Sequence, residues 1–374
     1  MIAKSLLFYI LLIILPDVIL WFRFLRNRRW WEQLLWYIPG FLFLTATMIL
    51  ARTRDFVPDD MTWLNIYLLL MGLITIPKAW VALCSFCGKK GWKVGIALTP
   101  MIWFIVIYGS FFGVKNFEVK RVELSFKDLP ASFDGYRIVQ FTDLHLGSIP
   151  EELLQQAVDS INAQHADLVV FTGDIQNKLP QEILEHQDVL KKIKGKDGVI
   201  SVRGNHDFSR YTDLPMDVSA FNEEYTIGYQ QDMDWWVLVN GFRLIKRGKE
   251  RIAIAGLDND GEGNQPQKGN INQTLWGLTR KDFVVMLEHD PSAWRRKILT
   301  HSHTQLTLSG HTHGMQFELF GFCPLSILRK DVDGLSKIGD RYLYVSKGLG
   351  GVVPFRFGAT PEIVVFTLRK DSSI

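Results

Sequence analysis

With 374 residues, 22% of them charged, and a net charge of +3, the chain is long enough for two structural units and has little excess positive charge. Its basic residues form no run of five or more, so we expect no nucleic acid as a partner. Its three cysteines, Cys84, Cys87 and Cys323, form neither an even set nor a pair of CxxC units. Residues 1–114 are mainly apolar, whereas charged and apolar residues alternate in residues 115–374. We therefore predict a membrane domain followed by a globular domain.

Four apolar stretches lie in the first part of the chain, at residues 5–22, 33–51, 63–87 and 94–114. Each is about as long as the ~20 residues that a helix needs to cross the core of a bilayer. The first follows Lys4 and so has one feature of a signal peptide, but it is long, and Arg-rich sequence follows it without a small-residue cleavage site. We predict four membrane-spanning helices, the first of them retained.

The loops between these stretches predict an orientation, because cytoplasmic loops carry an excess of Lys and Arg. The second loop has only Arg52 and Arg54, which three aspartates offset. The first and third loops together hold Arg23, Arg26, Arg28, Arg29, Lys89, Lys90 and Lys93. If those two loops are cytoplasmic, an even number of spans puts the globular domain on the outer side of the cell membrane. Lys115, Lys120 and Arg121, just after the fourth stretch, favour the opposite side.

Two ionisable residues, Asp17 and Lys78, lie inside apolar stretches. A charge there is costly and often marks a transport pathway or an ion pair. Each residue follows a proline, Pro16 or Pro77. We predict that each lies near a helix kink and faces other helices or the membrane interface, in preference to a role in transport.

In the globular part, short apolar segments end in residues of the kind that bind metals. Segment 136–142 is followed by Asp143 and His145, and segment 166–172 by Gly173 and Asp174. Residues 150–163 between them are amphipathic and predict a helix. A strand, a helix and a strand in succession predict parallel pairing. Both carboxylates should therefore leave a sheet at the carboxyl ends of strands, where α/β folds place their sites.

The pattern continues along the chain. Segments 198–202, 283–287 and 304–308 predict three more strands, and ligand-type residues follow them: Asn205, His206 and Asp207, then His289, then His311 and His313. Oxygen and imidazole groups without thiolates suit Mn, Fe or Zn in a catalytic site better than a structural zinc. Residues 241–246 and 251–255 predict a strand pair of a second sheet, and residues 362–368 predict another strand of that sheet.

Together these segments resemble, in order, the five motifs of the calcineurin-like metallophosphoesterase family: Asp143-x-His145, Gly173-Asp174, Gly204-Asn205-His206-Asp207, His289 and Gly310-His311-x-His313. The resemblance spans about residues 115–370. It is strongest to the bacterial membrane-anchored branch, in which the catalytic domain follows membrane spans or a signal sequence. It implies an α/β fold of two packed mixed β-sheets flanked by helices, here preceded by four transmembrane helices.

The resemblance also implies two divalent metal ions, Mn, Fe or Zn. One ion would be held by Asp143, His145, Asp174 and His313, and the other by Asp174, Asn205, His289 and His311. Asp174 would then bridge the two ions, and a hydroxide shared between them would be the nucleophile. His206 would protonate the leaving oxygen or hold a phosphoryl oxygen, and Asp207 would orient the His206 ring.

Two further positions bear on the site. Met315 lies where the family pattern has a second glycine, which predicts a more crowded backbone near one metal. Arg356, in a glycine-rich stretch, fits a phosphate-binding residue and an ordinary surface arginine equally well.

These features predict a membrane-anchored phosphoesterase that hydrolyses a phosphodiester or pyrophosphate bond. The membrane domain favours a lipid-linked or envelope substrate, and the resembled family includes enzymes that act on UDP-2,3-diacylglucosamine in lipid A synthesis. That substrate requires a cytoplasmic catalytic domain, which the loop charges oppose, so both possibilities stay open. The alternatives are an envelope phosphomonoesterase, or a membrane sensor or transporter that binds metal without catalysis. A leaving-group acid such as His206 argues against the sensor or transporter.

The loop charges make a testable prediction about the side of the membrane on which the globular domain lies. Alkaline phosphatase, which is active only outside the cytoplasm, should be active when it is fused after Val114. Fusions in the second and third loops, expected outside and inside respectively, are the controls. Activity of a cytoplasmic reporter after Val114 would instead place the domain in the cytoplasm and favour the lipid A precursor as substrate.

Overall fold

The computed structural model describes residues 5–52, 58, 60–88, 90–327 and 330–371. The chain divides into two compact units. The first comprises Met1–Gly113 with two short segments, Tyr211–Asp213 and Val353–Phe355. The second comprises Val114–Arg210, Leu214–Val352 and Arg356–Ile374.

Among the described residues of the first unit, four helices are long and apolar enough to cross a membrane, as predicted: Leu6–Leu25, Trp30–Leu50, Thr62–Cys84 and Gly91–Phe111. Large apolar side chains point outward along them, and Leu7, Phe41 and Trp63 are each more than two-thirds exposed. An outward apolar surface of this kind suits lipid and is unfavourable in water. The helical elements are α1 (Leu6–Leu20), α2 (Trp30–Leu50), α3 (Thr62–Leu70), α4 (Ile76–Cys84) and α5 (Gly91–Phe111).

Asp17 and Lys78 form an ion pair between the first and third spans, with Lys78 Nζ 2.8 Å from Asp17 Oδ1. The ammonium also lies 4.3 Å from the centroid of the Trp36 ring, which adds a cation–π contact. Gly40 makes room for the carboxylate, because a Cβ at that position would lie 2.2 Å from Asp17 Oδ2. The prediction that both residues face other helices is confirmed. Their pairing removes most of the cost of an isolated charge in apolar surroundings.

The second unit is an α/β sandwich of two mixed sheets, which confirms the predicted fold class. Its described residues form twelve strands: β1 (Glu118–Phe126), β2 (Arg137–Phe141), β3 (Leu168–Phe171), β4 (Val199–Ser201), β5 (Trp235–Val237), β6 (Gly241–Arg247), β7 (Glu250–Gly256), β8 (Phe283–Leu287), β9 (Leu306–Ser309), β10 (Gly334–Ile338), β11 (Arg341–Val345) and β12 (Glu362–Lys370). The first sheet has the order β1-β12-β2-β3-β4-β5 and the second β10-β11-β9-β8-β7-β6.

Helices connect the parallel strands of both sheets. They are α6 (Glu151–Ala163), α7 (Gln181–Leu190), α8 (Met216–Gln231), α9 (Ile271–Thr274) and α10 (Leu299–His301). In the first sheet β2, β3, β4 and β5 run parallel. In the second sheet β7, β8, β9 and β11 run parallel. The carboxyl ends of each parallel set therefore lie along one edge of its sheet.

The main hydrophobic core lies between the two sheets, because successive side chains of a strand point to opposite faces. Ile138 of β2 points into this core, which also contains residues of the second sheet such as Leu308. The next residue, Val139, points to the other face and packs with Leu154 of α6. Full burial of each such side chain contributes about 1.5–3 kcal/mol. Burial on both faces explains why these strands read as continuous apolar runs.

One strand lies in a different sheet from the one predicted. The prediction that residues 362–368 extend the second sheet is wrong, since β12 lies in the first sheet, parallel to β1 and antiparallel to β2. Phe366 faces the core between the sheets, and Val365 faces the outer layer. A strand that is apolar on both faces fits either sheet, so its pattern does not discriminate between them. The predicted pair formed by β6 and β7 is confirmed as an antiparallel hairpin of the second sheet.

Candidate metal centre

The ligand-type residues lie at the carboxyl ends of strands in both sheets. In the first sheet they follow β2, β3 and β4, and in the second sheet they follow β8 and β9. In chain order they are Asp143, His145, Asp174, Asn205, His289, His311 and His313. The side chains of Asp143, His145, Asp174, Asn205 and His289 are buried, and those of His311 and His313 are partly buried.

Several of these residues turn the chain sharply as it leaves the sheet. The backbone φ angles are positive at Asp143 (54°), His145 (49°), Asp174 (59°), His311 (75°) and His313 (53°). Residues other than glycine rarely adopt this left-handed conformation, which costs on the order of 1 kcal/mol or more at each position. Strain concentrated on ligand-type residues is typical of a functional site.

Two glycines leave space for the carboxylates. A Cβ at Gly204 would lie 2.2 Å from Asp174 Oδ1, and a Cβ at Gly310 would lie 2.3 Å from Asp143 Oδ2. Any other residue would therefore displace a carboxylate oxygen. The requirement for glycine in these two motifs follows from this close approach.

One group of ligand atoms consists of Asp143, His145 and His313, whose donor atoms lie within 4.8 Å of one another. His145 Nε2 is 3.2 Å from His313 Nε2. His313 Nε2 is 3.6 Å from Asp143 Oδ1, and His145 Nε2 is 3.7 Å from Asp174 Oδ2. Two imidazole nitrogens and two carboxylates thus converge, as the ligands of a divalent cation do.

A second group consists of Asp174, His289 and His311, also within 4.8 Å of one another. His289 Nε2 is 3.1 Å from Asp174 Oδ2 and 3.2 Å from Asn205 Oδ1. His289 Nδ1 donates to the carbonyl oxygen of Thr172 at 2.7 Å, an orientation that leaves Nε2 to act as a ligand. Asp174 thus lies next to residues of both groups.

The electrostatics of the cluster also fit bound cations. Burial, together with the nearby Asp174 carboxylate, raises the pKa of Asp143 to about 6. Burial lowers the pKa of His145 to about 3, with a smaller contribution from His206, so this ring is neutral as metal binding requires. Burial by itself would lower the pKa of His289, but Asp174 and Asp143 raise it to about 10. The two carboxylates therefore favour positive charge in this cluster, which divalent ions would supply.

Asn177, which the sequence analysis does not identify, holds two of the histidines. Its side-chain Oδ1 lies 3.1 Å from His145 Nδ1, and its backbone oxygen lies 2.5 Å from His206 Nδ1. Both Nδ1 atoms are thereby assigned as donors, which directs Nε2 of His145 towards the ligand cluster. In the sequence Asn177 is only a polar residue three positions after Asp174. Such a residue is too common to indicate a role in a metal site without a structure.

Asp207, predicted to orient the ring of His206, joins two loops of the site. Its carboxylate accepts hydrogen bonds from the backbone N–H groups of Gly204 (2.7 Å), Asp174 (2.9 Å) and Ile175 (2.9 Å). It therefore ties the loop after β3 to the loop after β4. The carbonyl of Asn177 holds the ring of His206 through its Nδ1, and orientation of this ring by Asp207 stays a prediction. The side chain of His206 lies with those of His145 and Asp174, with donor atoms within 4.8 Å of one another.

Arg356 is buried behind His313 and is neither a surface arginine nor directed to solvent, since only 3% of it is exposed. Its guanidinium donates to the backbone oxygen of His313 at 2.8 Å and lies 3.1 Å from His313 Nδ1. It also donates to the backbone oxygen of Gly350 at 2.6 Å. Met315 has a φ of 53°, a left-handed backbone conformation that favours glycine. Glycine is the residue that the family pattern has at this position.

Comparison with known proteins agrees with this geometry. The family model for calcineurin-like phosphoesterases matches residues 136–315. The metallophosphoesterase YkuE of Bacillus subtilis is 34% identical over 253 residues, which are 65% of this chain and 82% of that protein. A transmembrane protein with a metallophosphoesterase domain from Danio rerio is 28% identical over 71% of this chain, which spans 60% of that protein. The UDP-2,3-diacylglucosamine pyrophosphatase LpxG of Chlamydia trachomatis is 26% identical over 66% of this chain and 87% of that protein.

The sandwich fold and the cluster at its strand ends define a hydrolase of the dimetal phosphoesterase class. The chain belongs to the calcineurin-like metallophosphoesterase family, and it acts on phosphoester bonds. The prediction of an enzyme is thereby confirmed over the alternative of a non-catalytic sensor or transporter.

The contact between Asn177 and His145 makes a testable prediction. Asn177→Ala removes the acceptor for His145 Nδ1 but keeps the backbone carbonyl that holds His206. We expect metal affinity to fall by about 10- to 100-fold, the usual effect of removing a residue that orients a metal ligand, while the rate at saturating metal stays close to that of the wild type. Titration of activity with Mn²⁺ measures both quantities.

Asn177→Asp, which keeps an oxygen at the same position, is the matched control and should retain most of the affinity. A lower maximal rate with unchanged metal dependence would contradict the assigned role of the Asn177 side chain.

Proposed function

We propose that this protein hydrolyses a phosphodiester or pyrophosphate bond of a lipid-linked or envelope substrate, with residues 1–114 as the membrane anchor and residues 115–374 as the catalytic domain. The observation that carries this proposal is the position of His206, which lies beside His145 and Asp174 but belongs to neither of the two ligand sets assigned below. A site that only binds metal has no need of such a histidine.

We assign one divalent ion to Asp143, His145, Asp174 and His313, and a second to Asp174, Asn205, His289 and His311. Two such ions, when bound, lower the pKa of water and offset the charge on phosphoryl oxygens. The carboxylate of Asp174 would border both ions. The neutral ring of His145 and the oriented ring of His289 would each offer Nε2 as a ligand.

His206 takes the role of general acid in this proposal. Because its Nδ1 donates to Asn177, its Nε2 is the atom that would pass a proton to the leaving oxygen of the substrate. The neighbouring Asp207 carboxylate supports this role indirectly, by fixing the backbone on both sides of the site.

The lipid-linked substrate is supported by the four apolar helices on the same chain. A related protein, LpxG, is named for action on UDP-2,3-diacylglucosamine, which has a pyrophosphate bond and two acyl chains. We therefore include this lipid among the candidate substrates. It requires the catalytic domain on the cytoplasmic side, whereas the loop charges favour the outer side of the membrane.

The proposal is tested first by activity. Purified full-length protein should hydrolyse bis-p-nitrophenyl phosphate when Mn²⁺ is added and should be inhibited by a chelator. Asp174→Asn should reduce the rate by more than ~100-fold, because removal of a central electrostatic group usually has an effect of this size. It should also lower the bound metal below two ions per chain. A fully active Asp174→Asn variant with two metals would exclude the assigned bridge.

A second experiment separates metal binding from chemistry at His206. His206→Ala should keep both metals but slow turnover by about 10²- to 10⁴-fold, as removal of a general acid does. The loss should be smaller for a substrate that releases p-nitrophenolate, which departs without a proton, than for one that releases an alkoxide. Elemental analysis and the pH dependence of both reactions provide the measurements.

His301→Ala, at an exposed histidine of α10, is the matched control and should leave both rates unchanged. Equal losses on the two substrates would assign His206 to stabilisation of a phosphoryl oxygen. Loss of a metal ion would make His206 a ligand.

A further inference from the structure

A short hairpin follows the segment that carries His313. Leu319 and Phe322 pair across it with two backbone hydrogen bonds, of 2.9 and 3.0 Å. The two residues between them, Phe320 and Gly321, have φ angles of 53° and 75°. Two positive φ angles at the centre of a two-residue loop define a type I′ turn, in which asparagine or aspartate usually precedes the glycine. Here a phenylalanine occupies that position.

Both the backbone conformation and the exposure of Phe320 are energetically unfavourable if water surrounds this residue. Its bulky side chain lies on a left-handed backbone, and 99% of the residue is exposed. Leu319, Phe322 and Ile327, within seven residues of Phe320 along the chain, are also exposed. Patches of this kind on a soluble domain mark contact with a membrane, a ligand or another protein.

The hairpin, residues 317–322, has no solvent-exposed charged side chain. Between residues 316 and 327 the sequence contains one charged residue, Glu318. Its carboxylate is buried and paired with Lys347 at 2.7 Å. The tip can therefore enter an apolar medium without taking an unpaired charge into it.

The base of the hairpin is tied to the metal centre. Glu318 N–H donates to the carbonyl of Phe357 at 2.7 Å, and Phe357 N–H donates to the carbonyl of Gln316 at 3.0 Å. The residue before Phe357 is Arg356, which holds His313 from behind. Phe320 is seven residues after His313, so it lies no more than about 25 Å from that residue.

A second exposed apolar residue follows another ligand segment. Met216, at the start of α8, is 89% exposed and lies ten residues after His206. By contrast, Trp276, which is 82% exposed, precedes β8. It therefore lies at the amino end of that strand, whereas His289 follows the carboxyl end. Two of the most exposed apolar residues of the catalytic unit thus belong to segments that leave the metal centre.

We propose that the Phe320 hairpin inserts into the lipid bilayer in which this chain is anchored, and holds the metal centre next to the phosphoester group of a membrane-embedded substrate. Only residues 112–117 separate the last span from β1, and they reach about 25 Å at most. The chain itself therefore keeps the catalytic domain near the bilayer, which makes the bilayer the partner that we assign to the hairpin. The inference rests on the proposed function for its substrate. Insertion itself can be tested independently of catalysis.

The first experiment detects what covers residue 320. Phe320 is replaced by p-benzoylphenylalanine, which preserves the aromatic ring, in the full-length protein reconstituted in vesicles of phosphatidylethanolamine and phosphatidylglycerol. Irradiation should give lipid adducts on residue 320, detected by mass spectrometry. The same replacement at Trp276 is the matched control and should give none. A crosslink between two copies of the chain, no adduct, or equal adducts at both positions would each overturn the proposal.

The second experiment separates insertion from the reaction. Phe320→Ser should raise the KM for UDP-2,3-diacylglucosamine in vesicles by about tenfold, equivalent to about 1.4 kcal/mol, and should leave hydrolysis of soluble bis-p-nitrophenyl phosphate unchanged. Trp276→Ser should change neither. Equal effects of Phe320→Ser on both substrates would overturn the proposal. If the wild-type protein hydrolyses only the soluble diester, the lipid substrate is wrong, and the crosslinking result alone decides whether the hairpin inserts.

Discussion

The left-handed turns at the carboxyl ends of β2, β3 and β9 are the constraint on which the site depends. A strained backbone persists only when the surrounding structure leaves it no alternative. Here the loops after the strands hold one another, since Asp143 N–H donates to the carbonyl of Gly173, and His145 N–H donates to the carbonyl of Asp174. The register of β2 against β3 therefore sets the register of the two loops. A slip of one residue between β2 and β3 would move Asp143 and His145 away from Asp174.

A layer of residues behind the ligands fixes their direction. Asp207 joins two loops through backbone N–H groups, Asn177 holds His145 and His206, and Arg356 holds His313. Each of these supports is buried, so its hydrogen bonds are shielded from competing water. The cluster is consequently preorganised, and bound ions would not have to assemble it.

The sequence predicts those features that depend on local pattern. Continuous apolar runs indicate buried strands, and the residues that follow them indicate which strand ends carry ligands. The sequence does not predict the contacts of polar residues such as asparagine and arginine, because these residue types serve many different roles in proteins. An asparagine at position 177 and an arginine at position 356 are ordinary polar residues until the fold buries them beside a histidine. Similarly, β12 has apolar residues on both faces, so the choice of sheet depends on its neighbours and not on its own composition.

The ion pair between the first and third spans has a consequence for how the protein is made. Asp17 and Lys78 are 61 positions apart. At a synthesis rate of about 5–20 residues per second, the first span exists for about 3–12 s before its partner has been added. During that interval Asp17 lacks the ion-pair partner that it has in the complete chain, so its carboxylate is less stable in apolar surroundings. The first helix therefore reaches its paired arrangement in lipid only after the third helix has been synthesised.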